Sequence, residues 1–136
     1  MPETLTLEIV TPDAIAFSES ATIVTLPTAD GQIGVLPHHV PLLTQVVPGE
    51  IIVRQGARET FLAVGEGLAL ITADHIAIVT DMAVAADNID EAKAEEARLR
   101  AAARLRDKLS NEEIASVNGA LARSLAQLKV KRHRRL

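Results

Sequence analysis

The chain has no cysteine, no tyrosine and no tryptophan, and only two phenylalanines. Without cysteine it cannot build a disulfide framework or a thiolate metal site. Without tyrosine or tryptophan it is poor in the rings on which single-stranded nucleic acids stack their bases. A long hydrophobic run is also missing. The longest uncharged stretch, Gly31 to Gly49, is broken by Pro37, Pro41, Pro48 and three glycines, which a membrane-spanning helix does not tolerate together. The start, Met1-Pro2-Glu3-Thr4, has no basic segment leading into an apolar one, so no cleaved leader is expected.

Positive charge is scarce in one region only. Residues 1–84 hold two basic side chains, Arg54 and Arg58, and ten acidic ones, whereas residues 85–136 hold twelve basic and eight acidic. The net charges, −8 and +4, make up the −4 of the whole chain of 136 residues. That asymmetry predicts two modules with different partners, divided near residue 84.

The first module reads as strands. Thr4 to Val10 alternates in polarity and runs into the turn sequence Thr11-Pro12-Asp13. Ala21 to Leu26 is a β-branched run stopped by Pro27. Two hairpins are expected, one around Gln55-Gly56-Ala57-Arg58 and one around Ala73-Asp74-His75. Short strands at this spacing predict a sandwich or barrel.

The second module reads as two helices. Asn88 with Glu91 fits a capping box opening a helix to about Leu109, with a small-residue stripe at Ala94, Ala97, Ala101 and Leu105. Ser110 with Glu113 fits a second capping box. Beyond it, Ile114, Val117, Leu121, Leu125 and Leu128 follow one another at steps of 3, 4, 4 and 3, the spacing of an a/d seam. The short turn between the helices predicts an antiparallel hairpin. Two helices enclose no core of their own, so the hairpin is expected to lean on a surface, either the β module or a partner.

No catalytic group is expected. Ser110, Ser116 and Ser124 lie in helical sequence without a nucleophile turn, and no phosphate-binding glycine loop occurs. His38 and His39 are adjacent and diverge on an extended chain, with no third ligand at useful spacing, so no metal site is expected. The most distinctive stretch is Gly31-Gln32-Ile33-Gly34-Val35-Leu36-Pro37-His38-His39-Val40-Pro41-Leu42-Leu43-Thr44, with Pro48-Gly49 beyond it. Physics alone leaves two readings of it, a buried bend between strands or a rigid, partly apolar docking edge.

That stretch resembles the signature of epsilon subunits of bacterial-type F-type ATP synthases. The resemblance continues through Val64-Gly65-Glu66-Gly67, Ile89-Asp90-Glu91-Ala92-Lys93-Ala94 and Ala120-Leu121-Ala122-Arg123, in order along essentially the whole chain. It implies an α+β, mainly β fold: a ten-stranded β-sandwich over 1–84 and an antiparallel two-helix hairpin over 85–136. It implies a non-catalytic rotor subunit of a proton-translocating enzyme. Such a subunit couples gamma to the c-ring and inhibits ATP hydrolysis when its helices enter the alpha and beta assembly. It implies gamma contact at His39, Pro41, Leu42 and Leu43, and c-ring contact at Asp30, Gly31 and Gln32. Many relatives have an acidic residue at the place of Gln32.

No cofactor is required, but some relatives bind ATP on the hairpin, and the matching positions here are Asp90, Lys93, Ala94 and Arg123. Lys93 replaces an arginine and lacks its planar fork, and Gln127 stands where those relatives have a further arginine. The tail residues Lys129, Lys131, Arg132, Arg134 and Arg135 match an inhibitory contact with acidic loops of beta. The implied location is peripheral, on the cytoplasmic face of the bacterial plasma membrane, without direct insertion. Read without the resemblance, the alternative is a free-standing sandwich whose basic tail docks an acidic protein or a nucleic acid.

Overall fold

Alternation in Leu5-Thr6-Leu7-Glu8-Ile9-Val10 puts Leu5, Leu7 and Ile9 on one side of strand β1 (Leu5–Val10), and all three are fully buried. The same logic organises most of the body. In the computed structural model, which describes residues 3–134, ten strands and two α-helices are present among the described residues. The strands after β1 are β2 (Ile15–Ala21), β3 (Ile23–Thr28), β4 (Gly31–Val35), β5 (Leu42–Val46), β6 (Gly49–Gln55), β7 (Arg58–Val64), β8 (Gly67–Ile71), β9 (His75–Thr80) and β10 (Ala83–Ala85).

They form one continuous sheet in the order β10-β7-β6-β3-β5-β8-β9-β1-β2, with β4 paired beside β3. The sheet folds over as a sandwich around Leu7, Ile9, Leu26, Ile51, Leu62, Ile71, Ile76 and Ile78. The pairing of β1 with β9 is parallel, and the other ladders are antiparallel. Both expected hairpins are present, β6–β7 across Gln55↔Arg58 and β8–β9 across Ile71↔Ile76.

The strands depart from the sequence reading, or decide between its alternatives, in three places. Pro27 does not stop its strand: β3 runs to Thr28, because β4 pairs beside it and the Pro27 carbonyl still accepts from Val47 N–H at 3.1 Å. Strand β2 was not expected; most of its side chains are exposed and it carries no strong apolar alternation. The stretch from Gly31 to Thr44 is not a buried bend. It supplies strands β4 and β5 and an exposed connection between them.

The helices are α1 (Glu91–Arg104) and α2 (Asn111–Arg134). Asn88 does not cap α1. It ends a 3-10 turn over Ala86–Asn88, and Asp90 is the N-cap, its carboxylate accepting from Lys93 N–H at 3.1 Å. Helix α1 also ends earlier than expected, at Arg104. The second capping box is present: Glu113 N–H donates to Ser110 Oγ at 3.1 Å, and Ser110 N–H donates to Glu113 Oε1 at 3.2 Å.

Of the expected seam, Val117 and Leu128 are buried, Leu121 is half-buried, and Ile114 and Leu125 are exposed. Helix α2 does not use a single seam, because it packs against both α1 and the sheet. The small stripe on α1 does face inward, with Ala94 and Ala101 buried.

Candidate docking faces

Pairing register lays two rows of outward side chains across the half of the sheet that carries β5, β8, β9, β1 and β2. One row reads Leu43, Leu70, Ala77, Glu8 and Ser18. The next reads Gln45, Leu68, Val79, Val10 and Ile15. Leu43 is 65%, Val79 61% and Ile15 63% exposed. Single exposed leucines are ordinary, but adjoining rungs of them are not. Val10, Pro12, Leu68 and Val79 line a shallow, mainly apolar depression of about 570 Å³ between the strands.

The connection from β4 to β5 extends this face. Leu36, Val40, Leu42 and Leu43 are all exposed, as is Pro41. The connection is held firmly. His38 adopts φ +68°, its N–H donates to the Ala73 carbonyl at 2.6 Å, and its Nε2 meets Glu3 Oε2 at 2.5 Å. His39 is half-buried, with Nδ1 2.6 Å from the Val40 carbonyl. Of the positions matched to a gamma contact, Leu43 therefore belongs to the apolar face itself, and His39, Pro41 and Leu42 border it. Val10, Ile15, Leu68, Leu70 and Val79 were missed from sequence. Their signal was there: Leu68-Ala69-Leu70-Ile71 is apolar on both faces of an antiparallel strand, where one face ordinarily meets water.

Asp30, Gly31 and Gln32 form an exposed tip between β3 and β4. The Thr28 hydroxyl donates to the Gly31 carbonyl at 2.6 Å and accepts from Asp30 N–H at 3.3 Å. Gly31 sits at φ +113°, which a side chain would make strained. The tip is thus a fixed turn.

The third face is already occupied. Helix α2 lies on the outer side of β6 and β7. Ala126 and Val130 of α2 pack with Ala63, Ala86 and Ile89, joined by Phe61, Met82 and Val84. A polar set borders this layer. Arg123 Nη1 donates to Asp81 Oδ2 at 3.2 Å, Gln127 Nε2 lies 3.1 Å from Met82 Sδ, and Lys131 Nζ donates to the Ala86 carbonyl at 3.2 Å. Arg132 bridges Glu91 and Glu95 of α1, at 3.2 Å each. Hydrogen bonding from Arg98, and further from Arg132, holds the Glu95 carboxyl below the usual carboxylate range. Hydrogen bonds from Ser110 do the same for Glu113.

The positions matched to nucleotide binding are spread over this layer. Asp90 caps α1, Lys93 is exposed, Ala94 is buried, and Arg123 is held by Asp81. At the start of α1 the paired arginine is Arg132. Of the tail positions, Lys129 is exposed and Lys131 and Arg132 have the partners given above. The side chain of Arg134 and all of Arg135 lie outside the described residues. Sequence reasoning also missed Asp81 and the pair Glu50–His133, whose partners lie 42 and 83 residues apart in the chain. Among the described residues no group of three or more His, Asp or Glu side chains is placed to hold a metal ion, and no helix is long and apolar enough to cross a membrane.

Comparison with known proteins gives one family for both parts. The beta-sandwich domain model of the ATP synthase Delta/Epsilon chain matches residues 4–86, and that family's long alpha-helix domain model matches residues 87–132. The ATP synthase epsilon chain of Herpetosiphon aurantiacus is 39% identical over 130 residues, 95% of each chain. That of Laribacter hongkongensis is 38% identical over 128 residues, 93% of this chain and 91% of the relative. Among solved structures, a chain of the Euglena gracilis mitochondrial ATP synthase (OSCP/F1/c-ring, rotational state 1) aligns with TM-score 0.77 at 23% identity, over 95% of this chain and 81% of that one. A chain of the Tetrahymena thermophila mitochondrial ATP synthase central stalk and c-ring aligns with TM-score 0.65 at 10% identity, over 93% and 96%. At those identities the two structures speak for the fold.

Proposed function

The chain belongs to the ATP synthase Delta/Epsilon chain family, and from that premise we propose a division of labour between its sandwich and its helices. As an epsilon-type chain it is a non-catalytic subunit of the F-type ATP synthase central stalk. The proposal for the body, residues 1–84, is that it docks the gamma subunit through the bare apolar face. One observation carries this: adjoining rungs of leucine, valine and isoleucine point outward and no element covers them among the described residues. His39, Pro41, Leu42 and Leu43 continue that contact at its border. Asp30, Gly31 and Gln32, a stiff polar tip, meet the c-ring; Gln32 is uncharged, so any charge pairing there rests on Asp30.

The arm, residues 85–136, is regulatory. It leaves the sheet, follows gamma between the alpha and beta subunits and restrains hydrolysis. Lys129, Lys131, Arg132, Arg134 and Arg135 then meet acidic loops. The engagement of Arg132 with two carboxylates in the docked arm supports this reading. ATP is the candidate regulatory ligand through Asp90, Lys93, Ala94 and Arg123, and it competes with Asp81 for Arg123. The subunit then sits peripherally on the cytoplasmic face of the bacterial plasma membrane, held there by the complex.

Co-expression with gamma tests the first part. Leu68→Glu combined with Val79→Glu is expected to abolish co-purification while the isolated chain stays folded. A complex recovered at the unsubstituted level refutes the assignment. Neutralising Arg132, Arg134 and Arg135 in the assembled enzyme is expected to raise ATP hydrolysis. Unchanged hydrolysis with normal assembly refutes the regulatory role of the tail.

A further inference from the structure

Glu50 is a carboxylate where the sheet has no evident use for one. It lies on β6, 3% exposed, and register places it beside Ala63, with Ile52 and Phe61 on the next rung of the same face. A buried charge needs a partner, because removing it from water costs more than ordinary packing returns. The partner comes from the far end of the chain. His133 Nδ1 lies 2.9 and 3.1 Å from the two Glu50 oxygens, in donor position toward both. The Phe61 ring meets the imidazole edge-on, with centroids 5.1 Å apart and planes at 77°.

Neighbouring charges have other engagements. Arg54 and Glu59 pair with each other one rung further along. Lys131 is on the Ala86 carbonyl and Arg132 is on Glu91 and Glu95. From α2, therefore, the described side chain that answers Glu50 is His133.

We propose that Glu50 and His133 form the latch that holds the end of α2 on the sheet. On the helix side the apolar part of this contact is made by two side chains, Ala126 and Val130. The polar pair exists in the docked arm alone: when α2 lifts, Glu50 regains water and His133 separates from it. Such a differential contact is what shifts a two-state equilibrium. The latch is a property of the isolated chain and stands apart from the identity of the partner on the bare face.

The absence of native cysteine makes the test direct. In the full chain, Val130→Cys places a single thiol at a 0% exposed position on the sheet-facing side of α2, and its labelling rate reports lifting of the helix. His133→Ala is expected to raise that rate about tenfold, the scale of one charge-assisted hydrogen bond. In a Glu50→Ala background the same substitution is expected to change the rate by less than about twofold, since the partner is gone. A control thiol at Ala69, buried in the sandwich away from α2, is expected to label at an unchanged rate. An unchanged rate at position 130 overturns the proposal. So does an equal rise at position 69, or an undiminished effect of His133→Ala in the Glu50→Ala background.

Discussion

The two halves of the sheet have outer faces of similar chemistry and opposite fates. On β6, β7 and β10, the outward Phe61, Ala63 and Val84 lie beneath α2. On β5, β8, β9, β1 and β2, the outward Leu43, Leu68, Leu70, Val79 and Ile15 are bare. Both faces are apolar, so apolarity by itself does not say which is covered within the chain. The difference lies in polar fittings. The covered face has the polar anchors Glu50, Asp81 and the Ala86 carbonyl, each with a partner on α2. The bare face carries Leu43, Leu68, Leu70, Val79 and Ile15 with no such anchored helix over them among the described residues, which is why the docking surface is proposed there.

The sharpest way to break this contrast is to put one charge on each face. Val130→Asp places a carboxylate in the covered layer, and we expect a loss of several kcal/mol from the stability of the docked helices, read as helical signal in chemical denaturation. Leu70→Glu on the bare face is expected to leave stability within about 0.5 kcal/mol, because that side chain already meets water. Equal losses from both substitutions would erase the distinction.

A backbone test comes next in size. A Cβ at Gly67 would fall 2.0 Å from the Val79 carbonyl oxygen and 2.9 Å from Thr80 Cα, both backbone atoms. At Gly34 the nearest atom would be 3.8 Å away, an ordinary contact. Gly67→Ala should therefore lower the midpoint of thermal unfolding by an amount equal to about 1–3 kcal/mol, with Gly34→Ala clearly milder. A comparable loss at both would mean that the β8–β9 approach beneath the bare face is not tight.

The border of that face offers a smaller effect. His38 holds a left-handed conformation that glycine adopts freely. His38→Gly is expected to be about 1 kcal/mol more stable than His38→Ala, both having lost the ring. The reverse order would contradict the backbone assignment at this turn.

The smallest effect concerns the helices and pH. Glu113 and Glu95 have carboxyl groups held below their ordinary range, by Ser110 and by Arg98 with Arg132 respectively. A carboxyl lowered in the folded state adds stability above its unfolded value, and that contribution disappears as pH falls through the folded value. Helical stability should therefore fall on acidification, and Glu113→Gln should flatten that acid limb. An identical pH profile for the substituted chain would exclude the capping box as a contributor.

Much of this architecture could be read from residues. The hairpins around Gly56 and Asp74 follow from turn chemistry between apolar runs, and the box at Ser110 and Glu113 follows from local hydrogen bonding. Local signals of this kind do not depend on what packs elsewhere. The failures share a different cause. Leu125 fits a seam spacing yet is exposed, because α2 touches two surfaces at once and buries small residues such as Ala126 that no seam template selects. Asn88 fits a cap, but the chain reaches Asp90 before the helix begins. Glu50 reads as a surface residue until a side chain 83 positions later closes over it. Of the residues on the candidate faces, the resemblance named Asp30, Gly31, Gln32, His39, Pro41, Leu42 and Leu43. Nothing in the sequence brings Val10, Leu68 and Val79 together, because register across three separate strands assembles them.

Thr28 ties several of these parts together. Its backbone supplies the Thr28↔Val46 pair, the single rung of register joining β3 to β5 and so one half of the sheet to the other. Its hydroxyl, in the same buried position, grips the Gly31 turn. A push on that tip is therefore delivered straight into the joint, with no slack loop to absorb it. One buried residue thus belongs both to the exposed turn and to the junction between the halves, so displacing either strains the other.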